Sequence, residues 1–199
     1  MFYNFAKNLC AFFLRLLLPI HIFGLKNIPS KGAFIIAGNH VSYLDPVIFG
    51  AFCPRPLCYL AKIELFKNPV FGWLLRKVNA FPLKRNMSDI GAIKEALRQL
   101  NSGKGIILFP EGTRSTGVKL KKGLGGVGFL ARRAGVPIIP AFVKGADRAL
   151  PKGAKFIKRS EIDIIYGEPL FCDNSASDTE MAAIVMEAIV QLDPDRKKL

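Results

Sequence analysis

Residues 32–52 read GAFIIAGNHVSYLDPVIFGAF. The run AFIIAG (33–38) is apolar without alternation and is bounded by turn residues, the pattern of a strand buried on both faces. DPVIFGAF (45–52) opens with an aspartate followed by a proline, which predicts a helix with Asp45 as N-cap and Pro46 at the first helical position. Between them lies a short polar loop carrying His40, one of only two histidines in the chain. A buried strand, a loop and a helix in immediate succession are the unit of a layered α/β fold.

The rest of the chain repeats that unit. Further strands are expected within 20–32, at 56–61, 79–83, 105–109 and 136–143, and EIDIIYG (161–167) alternates like an edge strand. Helices are expected over 63–78, over 88–103 with Ser88 as cap and Gly103 as terminator, and over 178–192. GVKLKKGLGGVGFLARRAG (117–135) reads as a glycine-rich basic stretch. The predicted fold is a single α/β domain, a mainly parallel central sheet flanked by helices. No internal repeat, low-complexity tract or linker interrupts it.

Lys+Arg total 29 against 15 Asp+Glu, a formal charge of +14 on 199 residues. That excess favours phosphate-rich partners such as anionic lipid, nucleic acid or phosphorylated substrates. Cys10, Cys53, Cys58 and Cys172 form no CxxC and no pairing with histidine, so they read as reduced thiols rather than metal ligands or disulfides.

LCAFFLRLLLPIHIF (9–23) is apolar but broken by Arg15, Pro19 and His21. A spanning helix needs about 20 uninterrupted apolar residues, and the segment lacks the small-residue cleavage site of a secretory signal. Residues 1–22 are therefore expected to form an apolar helix lying in one leaflet, with Lys7 and Arg15 reaching headgroups, ahead of the α/β domain over 23–199. Pattern alone leaves a core-packing helix open as well.

Residues five apart point about 140° apart on a helix and to opposite faces of a strand. His40 and Asp45 can meet only if the chain turns between them, and the strand–loop–helix sequence supplies that turn. A carboxylate beside the ring would fix one tautomer and stabilise the imidazolium, freeing the other nitrogen to take a proton from a hydroxyl. No GxSxG accompanies the pair, and Ser42 lies too close along the loop to serve as nucleophile. Direct attack by a substrate hydroxyl is the economical chemistry. On the residues alone, a helix cap and an ordinary loop histidine remain the other reading.

FPEGTRS (109–115) follows another buried strand. Arg114 offers a planar fork for phosphate, Gly112 permits close backbone approach, and Glu111 is placed to orient the arginine or bond a substrate hydroxyl. Arg85, closing NAFPLKR (79–85), follows a third strand. Ligand sites of open α/β sheets gather beyond the carboxyl ends of the strands, so His40, Arg85 and Glu111 are expected to share one site.

These blocks resemble the glycerolipid acyltransferase family. NHVSYLDP matches its NHxxxxD motif and FPEGTRS its EGTR block, while NAFPLKR and VPIIPAFVKG (136–145) resemble the other two blocks, all in family order over about residues 24 to 145. The blocks most resemble those of bacterial 1-acylglycerol-3-phosphate acyltransferases. The resemblance implies His40 as general base, Asp45 as its orienting partner, and Arg85, Glu111, Gly112, Thr113 and Arg114 as the acceptor phosphate site, with VPIIPA as a strand behind it. It implies no metal and no cofactor beyond an acyl thioester co-substrate, acyl-CoA or acyl-ACP. Phosphatidic acid would form at the cytoplasmic face of the cell membrane, on a peripheral or monotopic enzyme. One departure is Lys84, where many relatives carry an acid before the arginine.

Other readings are acylation of another lyso-lipid or of glycerol 3-phosphate, and a basic nucleic-acid- or membrane-binding protein without catalysis. The basic residues are scattered, and no nucleic-acid signature appears, so the implied partners exclude nucleic acid. Phe66, Phe71 and Trp73 are candidates for an acyl tunnel or for ordinary core.

Overall fold

The computed structural model describes residues 1–84, 89–114, 123, 125–151, 153–173 and 176–195. The strands are β1 (Ile20–Phe23), β2 (Phe34–Gly38), β3 (Leu57–Lys62), β4 (Ala80–Leu83), β5 (Gly105–Leu108), β6 (Ile138–Lys144) and β7 (Ile162–Tyr166). They form one seven-stranded sheet in the order β1-β7-β6-β2-β5-β3-β4. The block β6-β2-β5-β3-β4 is parallel throughout, and β7 runs antiparallel to β6 with β1 parallel to β7.

Strand β2 lies inside that parallel block, and its side chains alternate between two cores. Phe34 and Ile36 face a core shared with helices α1 (Phe2–Leu17) and α2 (Asp45–Phe52), through Leu14, Ile48 and Phe49. Ile35 and Ala37 face the other, formed with α4 (Ile90–Asn101), α5 (Gly126–Ala134) and α7 (Asp178–Gln191). A strand covered on both faces needs no polar side, which is why AFIIAG shows no alternation.

Several expectations are corrected. EIDIIYG is not an edge strand, because β1 pairs outside it, Ile20 opposite Ile162 and His21 opposite Asp163. The N-terminal helix ends at Leu17, and residues 20–22, placed with the helix, belong to β1. Lys7 donates to the Cys53 carbonyl and the Arg15 guanidinium lies over Phe52, 5.3 Å from its ring centroid, so both cations fold back onto the protein. The 63–78 segment divides at Pro69 into a 3-10 turn (Ile63–Phe66) and α3 (Pro69–Lys77), with the Asn68 side chain capping the second. Asp89 rather than Ser88 caps α4, accepting from Ala92 N at 3.1 Å; Ser88 lies outside the described residues.

The glycine-rich basic stretch ends in helix α5. Its glycines are needed for packing: a Cβ on Gly128 would lie 2.8 Å from the Asp178 carbonyl oxygen and 3.0 Å from Met181 Cβ on α7. A short helix, α6 (Ala146–Ala149), follows β6. No helix among the described residues is long and apolar enough to cross a membrane. All four cysteines are free, and burial pushes the Cys53 and Cys58 thiols up to about 11.

Candidate active site

β2 and β5 are parallel neighbours with Ala37 opposite Leu108, so the loops that follow them emerge side by side. The first carries His40 and the second Glu111, the juxtaposition expected beyond the carboxyl ends of parallel strands.

The first loop is anchored by Asn39. Its Nδ2 donates to the Val143 carbonyl at 2.9 Å and its Oδ1 accepts from Val143 N at 2.7 Å, tying the end of β2 to β6. The sequence reading passed over Asn39. A carboxamide directly after a doubly covered strand has to find buried partners, and that requirement was the available signal.

Asp45 is the first residue of α2 rather than its cap, and the cap position falls to Leu44, which offers no side-chain bond. The carboxylate turns back into the loop instead. Its Oδ2 accepts from the backbone N–H of Val41, the backbone N–H of Ser42 and His40 Nδ1, each at 2.7 Å. Two of those donors are amides, so Oδ2 acts only as an acceptor and Nδ1 carries the ring proton. Nε2 is then the basic nitrogen, and it has no hydrogen-bond partner among the described residues. Burial pushes the Asp45 carboxyl above its ordinary value, while the bonds from His40, Ser42 and Val41 pull the other way. Ser42 is buried and donates to the Leu150 carbonyl at 3.2 Å, which occupies it structurally.

The second loop holds His40 from two further directions. Phe109 stacks on the imidazole at 4.1 Å between centroids, and Glu111 Oε1 accepts the His40 backbone N–H at 3.0 Å. The ring is 15% exposed while Asp45 is fully enclosed, so Nε2 opens to a site whose other nitrogen is sealed from water. Glu111, expected to meet an arginine or a substrate, is 5% exposed and bonds the backbone of the general-base candidate.

Gly112 has φ +66, with its N–H bonded to the Phe109 carbonyl at 2.9 Å. The turn itself demands the left-handed conformation that glycine adopts without strain. Thr113 is exposed beside it. The Arg114 guanidinium carbon sits 3.5 Å from the centroid of the Tyr43 ring, in the NHxxxxD loop. The site thus brings together His40, Asp45, Glu111, Gly112, Thr113 and Arg114. Arg85 lies outside the described residues. Phe109 and Tyr43 are contributors that the sequence reading missed; both are aromatics placed directly beside the motif residues.

The arrangement can remove a proton from a hydroxyl at Nε2 and hold an anion near Arg114. The family model described as Acyltransferase matches residues 19–144, a segment that contains both loops. The 1-acyl-sn-glycerol-3-phosphate acyltransferase of Bacillus subtilis (strain 168) is 32% identical over 170 residues, 84% of this chain and 82% of that one. The lyso-ornithine lipid O-acyltransferase of Pseudomonas aeruginosa is 35% identical over 106 residues, 53% of this chain and 40% of its own. The crystal structure of the 1-acyl-sn-glycerophosphate (LPA) acyltransferase PlsC from Thermotoga maritima matches with a TM-score of 0.81 at 26% identity, covering 95% of this chain and 77% of that one. The chain therefore belongs to the acyltransferase family that includes the 1-acyl-sn-glycerol-3-phosphate acyltransferases.

Proposed function

We propose that this acyltransferase moves a fatty acyl group from a thioester to the sn-2 hydroxyl of 1-acylglycerol-3-phosphate, giving phosphatidic acid. The observation that carries the reading is the 2.7 Å bond between His40 Nδ1 and Asp45 Oδ2, which leaves Nε2 as the base. The acceptor hydroxyl passes its proton to Nε2 as its oxygen attacks the thioester carbonyl. Collapse of the tetrahedral intermediate expels the thiolate, which takes the proton back from His40. Asp45 stabilises the imidazolium between those steps. Arg114, with Arg85, binds the acceptor phosphate and holds the hydroxyl in attacking geometry.

The donor is acyl-CoA or acyl carrier protein, both anionic and both suited to a chain of charge +14. The outer face of α1 carries Phe5, Phe12, Phe13 and Leu16 exposed, which suits it to lie on an anionic membrane at the cytoplasmic side. The lyso-ornithine lipid relative supports a second reading, in which the acceptor is a lyso-lipid without phosphate.

The test is acyl transfer by purified protein in mixed micelles, with lysophosphatidate and labelled acyl-CoA. His40→Ala is expected to abolish product and Arg114→Ala to raise the acceptor KM. Unchanged turnover in His40→Ala refutes the mechanism. Turnover with lyso-ornithine lipid but not lysophosphatidate favours the second reading.

A further inference from the structure

Helix α3 presents its large apolar residues to solvent. Val70 is 76% exposed, Trp73 53%, Phe71 44% and Leu74 38%, and only Gly72 of the helix is buried. Gly72 explains the orientation. A Cβ there would lie 2.9 Å from the Phe66 carbonyl oxygen, so the helix rests on the preceding turn through backbone and turns its side chains outward. An exposed apolar helix face of this kind marks a contact site.

Its charge identifies the partner. Residues 62–77 carry the exposed cations Lys62, Lys67, Arg76 and Lys77 against one carboxylate, Glu64. Lys77 places its ammonium 5.7 Å from the Trp73 ring centroid. Tryptophan and long cations flanking aliphatic side chains suit the boundary between headgroups and acyl chains. Phe2, at the start of α1, meets the same indole edge-on at 5.7 Å, which makes the α3 face continuous with the exposed face of α1.

We infer that α3 is a second membrane-docking element, in which an anionic bilayer surface takes up Val70, Phe71, Trp73 and Leu74; this rests on the reading that α1 lies on a membrane. β3 delivers the chain to α3 from its carboxyl end, the same edge of the sheet at which β2 delivers His40. A two-helix attachment would thereby fix the tilt of the protein as well as its depth, so that the site mouth faces the lipid from which the acceptor comes.

Trp73 is the only tryptophan, so the intrinsic emission of the intact wild-type protein reports on this face alone. The experiment combines co-sedimentation with phosphatidylglycerol vesicles and tryptophan emission, with and without brominated acyl chains. The expected result is binding with a blue shift and quenching by the brominated chains. Phe71→Asp is expected to lower vesicle affinity by about tenfold while the protein stays folded. Binding with Trp73 unshifted and unquenched overturns the inference and leaves α1 as the sole attachment. Failure to co-sediment overturns both. A blue shift that grows with protein concentration in the absence of lipid assigns the face to a second copy of the chain and also overturns the inference.

Discussion

Replacing Glu111 by glutamine separates two roles that a carboxylate can have at this site. Its Oε1 accepts the His40 backbone N–H at 3.0 Å, and the residue is 5% exposed. Glutamine keeps an oxygen of the same reach but removes the charge. A hydrogen bond to a charged group contributes about 1.5–3 kcal/mol and one between neutral groups about 0.5–1.5 kcal/mol, so the change weakens the hold on His40 by about 1–1.5 kcal/mol. If that loss appears where the base is used, kcat falls about five- to thirteenfold and the acceptor KM stays within about a factor of two. Glu111→Ala goes further and leaves a buried N–H unpaired, costing about 1–3 kcal/mol. The assay is steady-state acyl transfer with lysophosphatidate varied at saturating acyl-CoA, alongside urea unfolding of each variant. A glutamate that instead binds the acceptor gives the opposite split, a raised KM with kcat unchanged in Glu111→Gln. That outcome would refute the positioning role.

Asp45→Asn should remove most activity, with kcat falling about 10²–10⁴-fold. Its effect on stability has a definite sign. The folded Asp45 pKa lies above the unfolded value, so its favourable contribution is present at low pH and is lost as pH rises through the folded pKa. Urea unfolding across the carboxylate range should therefore show the difference between variant and wild type moving in asparagine's favour as pH rises; the reverse slope would count against a carboxylate held at a cost. Tyr43→Ala should raise the acceptor KM about two- to fivefold by removing the platform under Arg114, with Tyr43→Phe close to wild type; equal KM values for all three proteins would reject that contribution. Gly128→Ala should destabilise the fold by about 1–3 kcal/mol, because the added methyl meets the α7 backbone. An unchanged urea midpoint would mean that α5 and α7 separate without cost.

What the sequence disclosed depended on how local the determinant was. AFIIAG announced a doubly covered strand because burial on both faces leaves no polar period, and the bend that joins His40 to Asp45 followed from a strand ending eight residues before a proline. The hand of the carboxylate was not legible. Capping its own helix and closing the preceding loop require the same residue at nearly the same place, and three donors in the loop outcompete the first turn of α2. Helix α5 was hidden because glycine weakens helix propensity, whereas here it admits the α7 backbone. The interior position of β7 depends on β1, more than a hundred residues earlier in the chain, and no local pattern reports such pairing. The contacts of Arg114 with Tyr43 and of His40 with Phe109 likewise arise only when adjacent strands bring two loops together.

The attachment of the N-terminus has a practical consequence. Tyr3 Oη accepts the Leu57 backbone N–H at 2.9 Å, Leu14 and Leu18 lie in the core, and β1 covers the outer side of β7. Trimming this region to obtain a water-soluble enzyme would expose a row of unpaired strand amides and invite edge-to-edge aggregation. Polar replacement of the outward residues Phe12 and Leu16 would leave that edge closed. Solubility engineering of this enzyme is therefore a matter of repainting the helix and not of removing it.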